Sequence, residues 1–350
     1  MNPVSFTVIV LCAGLLSTGT GGEGSMNLEL IQEDTVFLET ADWDMPRPYG
    51  AHCDTAGELL ILLSGPVVQG NLTSWDHWGI RIEEGGPEVI DSVNRTGAGM
   101  SVSFFYGDGS QQWLSCIDED GDTLWSCPLV GTDDFDNAVT GYWLDSGDFA
   151  AVSHPDCWST STYIARLSDR GDMLWHGQLT TNYLLDMGNE PGEIYPKIRS
   201  VRETSSGDLL VCGTVSEWAN TPSAMFIALL DGDSGEPIWK YADHLLGEAC
   251  AWDAVQLLSG GFAAVGSTSE TVYTDEYPNI AQWGNERPFV ATLDEEGNLT
   301  ASELCRATSA ERFTGVIQPE GTSGELVILG SPSFHDPVRL VVSMVSLEFR

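Results

Sequence analysis

The sequence predicts an all-β fold, a β-propeller of four-stranded antiparallel blades, and two interleaved phrases predict it. The first is a short apolar run, an acidic turn with glycine, then tryptophan: IARLSDRGDMLW from Ile164, IALLDGDSGEPIW from Ile227 and LSCIDEDGDTLW from Leu114. VATLDEEGNLTA from Val290 keeps the frame without the tryptophan. The second phrase is TAGELLILLS from Thr55, DSGDFAAVS from Asp145, SSGDLLVCG from Ser205, SGGFAAVGS from Ser259 and TSGELVILGS from Thr322. Self-similarity at a period of some tens of residues marks an architecture whose units bury their faces on one another.

Each phrase reads as hairpin chemistry. ELLILLS and DFAAVS are short aliphatic runs, as buried strands are. Asp, Gly and Asn between the runs supply the positive φ angles of tight turns. Each repeat is therefore four strands: a ends at the SGD-type turn, b follows it, c is the IARL-type run and d carries the tryptophan. Strand b is expected to begin near Glu58, Met100, Asp148, Asp208, Phe262 and Glu325, which makes six blades, or seven if the segment from Glu39 to Gly70 holds another. After the sixth strand b only Arg339 to Arg350 remains, enough for a strand c. The missing strand d is expected from Leu28 to Leu38, closing the ring with an N-terminal strand and removing a free sheet edge.

One propeller domain is expected over residues 26–350, preceded by a signal peptide over residues 1–25. Val4 to Leu16 is an apolar run too short to span a bilayer comfortably, followed by small residues up to Ser25. Leu11 precedes Cys12 where a bacterial lipoprotein signal wants a small residue, so ordinary export is the reading, to the periplasm, the cell surface or the medium. No other segment could cross a membrane. The hydrophobic content of 42% is ample for a core, and the net charge of −38 is the outlier. Only Lys197 and Lys240 are lysines. So acidic a chain is repelled by nucleic acid and by anionic membranes. Many acids fall in turns, where aspartate is favoured locally, and the rest form a solvated coat.

The phrase IALLDGDSGEPIW resembles the repeat of pyrroloquinoline-quinone-type propellers, at Ala228, Leu229, Asp231, Ser234, Gly235 and Trp239. The resemblance, loosely shared by the other repeats from Thr55 onward, implies architecture and not activity. Quinone enzymes of that superfamily carry a vicinal cysteine pair, which this chain lacks, so no quinone is expected. Other members are scaffolds. The sialidase-type turn fits less well, because SDRGDMLW has one residue too many between Gly171 and Trp175, and no arginine cluster for a substrate carboxylate stands out.

In a propeller the a–b and c–d turns leave one end and the b–c and d–a connections the other. Here the first set is short and acidic and the second long, and long loops on a rigid scaffold carry binding groups. The candidate ligand-binding residues are Trp75, His77 and Trp78 in the first b–c loop, and His154, Asp156 and Trp158 in the third. Tyr273, Tyr277 and Trp283 follow in the fifth, and His335 and Asp336 in the sixth. Imidazole beside carboxylate suits acid–base or metal work, and exposed aromatics suit sugars or peptides. Plugging the loops against the blades is the plainer role for the same residues. No catalytic residue is assigned.

Cys116 and Cys127 flank DEDGD almost symmetrically, and a cross-strand disulfide between them is expected, while Cys212 in LLVCG reads as a buried thiol. The aspartates of DEDGD resemble the start of a calcium loop, but the glycine comes fourth instead of sixth and no glutamate follows at the twelfth place. No cofactor is expected, and calcium is unsupported by that spacing. The function expected is an exported, monomeric, non-catalytic binding or scaffolding module for an extracellular or periplasmic protein or glycan. The alternative is an extracellular carbohydrate-active hydrolase using carboxylates and histidines of the same end.

Overall fold

The computed structural model describes residues 26–37, 47–53, 59–69, 72–83, 86–90, 101–106, 112–117, 123–128, 139–153, 161–180, 183–184, 194–217, 224–243, 248–272, 282–305, 308, 310–319, 324–331 and 339–349. Their strands run in chain order from β1 (Met26–Phe37). One four-stranded sheet holds β2 (Arg47–Cys53), β3 (Leu59–Gln69), β4 (Leu72–Glu83) and β5 (Gly86–Ile90). A three-stranded sheet holds β6 (Ser101–Tyr106), β7 (Gln112–Ile117) and β8 (Thr123–Pro128). The next holds β9 (Val139–Trp143), β10 (Phe149–Ser153), β11 (Ser161–Leu167) and β12 (Met173–Thr180). Then come β13 (Ile194–Glu203), β14 (Leu209–Glu217), β15 (Ala224–Leu230) and β16 (Pro237–Asp243), and after them β17 (Glu248–Gln256), β18 (Phe262–Val272), β19 (Gln282–Leu293) and β20 (Leu299–Leu304). The last sheet is β21 (Arg312–Ile317), β22 (Glu325–Ser331) and β23 (Arg339–Phe349), with β1 antiparallel at the outer edge of β23.

The fold is thus all-β, built of antiparallel sheets with strands in sequence order, and each strand b begins within a residue of its expected place. In the second repeat the sequence read no clear turn before strand b. There the sheet has three strands, and no fourth is paired to it among the described residues. The expected leader over residues 1–25 and the DEDGD turn lie outside the described residues.

The turns follow from glycine. In the turn after β9, Gly147 has φ +91° and donates to the Leu144 carbonyl, while Leu144 donates to Asp148 O. The same pair of bonds recurs at Thr204–Asp208, Leu257–Gly261, Ser168–Asp172 and Asp294–Asn298. Each needs a left-handed residue at its end, which an L side chain resists and glycine does not. The turn acids are structural too. Asp231 Oδ1 accepts from Ser234 N at 2.8 Å and Ser234 Oγ at 2.7 Å, bonds that hold its carboxyl below the usual range.

Burial grades across each sheet. All of β10, β15 and β21 is buried, whereas β12 and β16 are half exposed. Strands covered on both faces carry unbroken apolar runs, not alternation. The cores lie between sheets: Met225, Ile227 and Leu229 of β15 pack with Ala249, Ala251, Phe262 and Phe289 of the following sheet. Val265 and Val290 of that sheet pack in turn with Phe313, Val316 and Ile328 of the last. At backbone level β9 lies beside β13, β13 beside β17, β17 beside β21, β21 beside β2 and β4 beside β6.

The tryptophans join sheets. Trp125 donates from Nε1 to Asp169 O at 3.0 Å, and Trp175 to Gly232 O at 2.7 Å, each reaching the c–d turn of the next sheet. Their rings occupy the space that a Cβ would take at Gly171 and Gly235, and Trp239 does the same at Gly297. A second tie is Arg166 on β11, which binds Asp148 and, in the next sheet, Glu203 (2.6 Å) and the Gly207 carbonyl (2.8 Å).

The expected Cys116–Cys127 bridge is overturned. Cys116 lies opposite Trp125 and Cys127 opposite Leu114, so the register offsets the two cysteines, and Cys127 carries a buried thiol. A disulfide needs its two Cβ atoms within about 4.5 Å, which directly opposite positions supply. Cys212 is a buried thiol, as expected.

Candidate functional site

Four first strands carry a kink that the sequence did not announce, β2 (between Pro48 and Gly50) among them. The register with the second strand slips between Ile198 and Ser200 in β13, between Ala251 and Asp253 in β17, and between Phe313 and Gly315 in β21. A bulge re-aims the side chain at the extra residue. In β13 that residue is Arg199 and in β17 it is Trp252. The two meet: the Arg199 guanidinium carbon lies over the Trp252 ring, 4.4 Å from its centroid, and that of Arg312, the first residue of β21, lies 5.5 Å from it. The indole N–H donates to Ser267 Oγ on β18 at 3.3 Å. Arg312 donates to Glu286 Oε1 on β19 at 3.0 Å.

The platform below is rigid. Asp253, only 2% exposed, accepts from Ser200 Oγ (2.7 Å), Arg202 Nε (3.0 Å), its neighbour Ala254 N (3.0 Å) and Val316 N (2.9 Å), while Arg202 also donates to Val316 O at 3.0 Å. One carboxylate thereby fixes β13, β17 and β21 beside the residues that form the cluster. Removing either member of such a buried pair leaves an uncompensated charge.

The electrostatics are those of a site held out of water. Burial pushes the carboxyls of Glu286 and Glu248 and the thiol of Cys250 upward, and it depresses the Arg312 guanidinium. Among the buried polar atoms without a hydrogen-bond partner are Arg199 Nε, Glu286 Oε2 and Ser269 Oγ. Native proteins satisfy nearly all such atoms, so their gathering in one place points to a group that would satisfy them. The cluster lies in the half of the sheets away from the short glycine turns, towards the ends where the b–c and d–a connections leave. Among the described residues no three His, Cys, Asp or Glu side chains gather as metal ligands.

Of the sequence-derived candidates, Trp75, His77 and Trp78 lie within strand β4 and not in a loop. They pair at backbone level with Pro66, Ser64 and Leu63, because β3 and β4 pair along their whole length, from Leu59 with Ile82 to Gln69 with Leu72. Trp283 lies on β19 opposite Thr271. His154, Asp156, Trp158, Tyr273, Tyr277, His335 and Asp336 fall outside the described residues. Two arginines the sequence reading did not group, Arg199 and Arg312, share one indole. Sequence reading missed Arg199, Trp252, Glu286 and Arg312. The available signal was their place: Arg199 and Trp252 stand at the same offset ahead of the turn glycines Gly207 and Gly260.

No family model matches this chain. No curated protein matches it either. Among solved structures, a protein of unknown function from Dyadobacter fermentans is similar over 92% of this chain and 99% of its own, at 9% identity and a TM-score of 0.46. A luciferin-regenerating enzyme aligns over 90% of this chain and 95% of its own, at 9% identity and a TM-score of 0.44. A GH43_1 enzyme from Xanthomonas citri aligns over 90% of both chains, at 13% identity and a TM-score of 0.33. Likeness at this level says nothing of what this chain binds or catalyses. Among the described residues, no helix is long and apolar enough to cross a membrane.

Proposed function

We propose that the six sheets are blades of one propeller ring, completed by β1, and that the chain is an exported binding module that takes its ligand at the b–c/d–a end, near the ring axis. The observation that carries the reading is the Arg199–Trp252–Arg312 cluster, with unpartnered polar atoms at Arg199, Ser269 and Glu286. The contacts of β13 with β17, β17 with β21 and β21 with β2 support the ring, as do the tryptophans that dock on the neighbouring sheet's turn. The roles of Asp231, Gly235 and Trp239 in turn and docking support the architectural likeness to pyrroloquinoline-quinone-type repeats. A site recessed among first strands admits a small molecule or the tip of a glycan more readily than the flat face of a protein. The long-hairpin and loop aromatics Trp75, Trp78, Trp158, Tyr277 and Trp283 would form the rim around it.

A hydrolase is the second reading. It is favoured by Glu286 and Glu248, two carboxyls pushed upward by burial in the same half of one sheet, because a raised carboxyl can serve as a general acid.

A glycan array probed with the purified protein, with and without calcium, tests the binding reading. The expected result is calcium-independent binding that Trp252→Ala abolishes and that Arg170→Gln, an exposed surface change, leaves intact. Absence of binding to every glycan, or binding indifferent to Trp252→Ala, overturns it. Turnover of a bound glycan would move the account to the hydrolase.

A further inference from the structure

Arg199 is out of balance with its surroundings. In a chain of net charge −38, nearly every other described arginine with a buried guanidinium has a carboxylate partner: Arg166 has Asp148 and Glu203, Arg202 has Asp253, and Arg312 has Glu286. Arg199 has none among the described residues. It lies over the Trp252 ring and beside the buried Cys250 thiol, whose burial keeps it protonated and uncharged. The Arg312 cation stands close enough to feel that of Arg199. The Arg199 guanidinium, stacked on the indole, thus has no carboxylate beside it among the described residues. Glu311 also acts on Arg312 and Glu286, but it is exposed and its charge is screened by water. Burying a charge without a partner is costly, so Arg199 calls for one negative charge that no described residue supplies.

Unpartnered atoms of Ser269 and Glu286 describe the rest of that ligand. Ser269 is 2% exposed, and it lies two residues along β18 from Ser267, on the same side of the strand as the hydroxyl that binds Trp252. Its hydroxyl can give or take a hydrogen bond. Glu286 Oε2 accepts a hydrogen bond when ionised, and a hydroxyl of the ligand would be its donor. A single anionic group, together with a hydroxyl donor and a hydroxyl partner, is the pattern of a hydroxylated monocarboxylate. A phosphate monoester would bring close to two charges to a site short of one.

We infer that the ligand of the axial site is a hydroxylated organic carboxylate of the sugar-acid class, its carboxylate received by Arg199 and its hydroxyls by Ser269 and Glu286. This rests on the binding reading above and adds to it the chemistry of the ligand. The carboxylate accepts from the Arg199 guanidinium, Nε included, in a charge-assisted and directional pair. The indole of Trp252 holds Arg199 in place against the pull of water.

The test is calorimetric titration of the whole protein with glucuronate, glucose, cyclohexanecarboxylate and inorganic phosphate, repeated with Arg199→Gln, Arg199→Lys and Arg170→Gln. Thermal melts of each variant separate lost binding from lost folding. The expected result is saturable glucuronate binding, with glucose, cyclohexanecarboxylate and phosphate each weaker by roughly tenfold or more, the worth of one charge-assisted hydrogen bond. Arg199→Gln should weaken glucuronate by a similar factor without lowering the melting temperature, Arg199→Lys should recover part of it, and Arg170→Gln should change nothing. Equal binding of glucose and glucuronate, indifferent to Arg199→Gln but lost in Trp252→Ala, overturns the carboxylate inference and keeps the axial site. Glucuronate binding equal to that of cyclohexanecarboxylate overturns the sugar-acid class. Tightest binding of phosphate, or no binding of any carboxylate, overturns the inference outright. Binding untouched by both Arg199→Gln and Trp252→Ala overturns the axial site itself.

Discussion

Trp175 lies against Gly235 in the turn of the neighbouring sheet, and its indole N–H donates to the Gly232 carbonyl at 2.7 Å. A tryptophan there both buries a large ring and satisfies a turn carbonyl, so the contact has a shape term and a hydrogen-bond term that substitutions can separate. Trp175→Phe keeps most of the ring and loses the bond, and should cost about 1–2 kcal/mol in urea unfolding. Gly235→Ala should cost more, because its Cβ would come within 2.5 Å of the Trp175 ring at a φ of +74°. Gly147→Ala, at φ +91° but facing open space, should cost only about 1 kcal/mol of backbone strain. Equal costs for the two alanines would refute the docking account.

Trp239 makes the same dock against Gly297, yet its Nε1 is buried without an acceptor. Trp239→Phe should therefore cost less than Trp175→Phe, since it removes an unsatisfied donor. The comparison needs only two urea titrations, and a larger loss at Trp239 would contradict it.

Asp253 holds three strands through one carboxylate, so Asp253→Asn should destabilise by about 3 kcal/mol or more, as broken buried pairs do. Asp169→Asn, beside Arg170 on the surface, should fall within about 0.5 kcal/mol of the parent. Chemical denaturation of both variants checks the contrast.

Glu248 gives a pH signature. Burial raises its carboxyl above the ordinary 4.5, so the folded protein holds that proton more tightly than the unfolded chain. The group's contribution to stability is complete below about pH 4.5 and is lost as the pH rises through the folded value. Glu248→Gln should accordingly raise the melting temperature at pH 7, with the gain fading by pH 4. Asp231 has the opposite sign: its carboxyl is lowered by Ser234, so Asp231→Asn should lower the melting temperature at pH 7 and converge with the parent in strong acid. A gain for Glu248→Gln that grows towards pH 4 would contradict the burial argument.

Much of the fold was legible because glycine and aspartate write the turns. Gly147, Gly207 and Gly260 sit where a left-handed residue is required, and the apolar runs after them are the b strands. The site was not legible for a physical reason. Arg199, Trp252 and Arg312 are far apart in sequence, and bulges, not motifs, bring the first two to face the third. The loop reading of Trp75 to Trp78 failed because polar and aromatic residues in a long hairpin look like a loop when only apolar runs are read as strands. The Cys116–Cys127 expectation failed by the register of a single hairpin.

β1 supplies the outer strand beside β23, pairing from Met26 with Phe349 to Phe37 with Arg339. Removing residues 26–37 should leave β23 as a bare edge and give a less stable species that self-associates more than the parent. Light scattering and a melt of the shortened protein check this, and an oligomeric state and melting temperature equal to the parent's would contradict it.

The central claim is an axial site built on Arg199, Trp252 and Arg312 within a ring of six sheets. The most direct test is a crystal structure grown with glucuronate. The account predicts a six-sheet ring with β1 beside β23, and a ligand carboxylate within hydrogen-bond distance of Arg199. Ligand density at the short-turn end, or an Arg199 satisfied by a carboxylate of the chain itself, would contradict it.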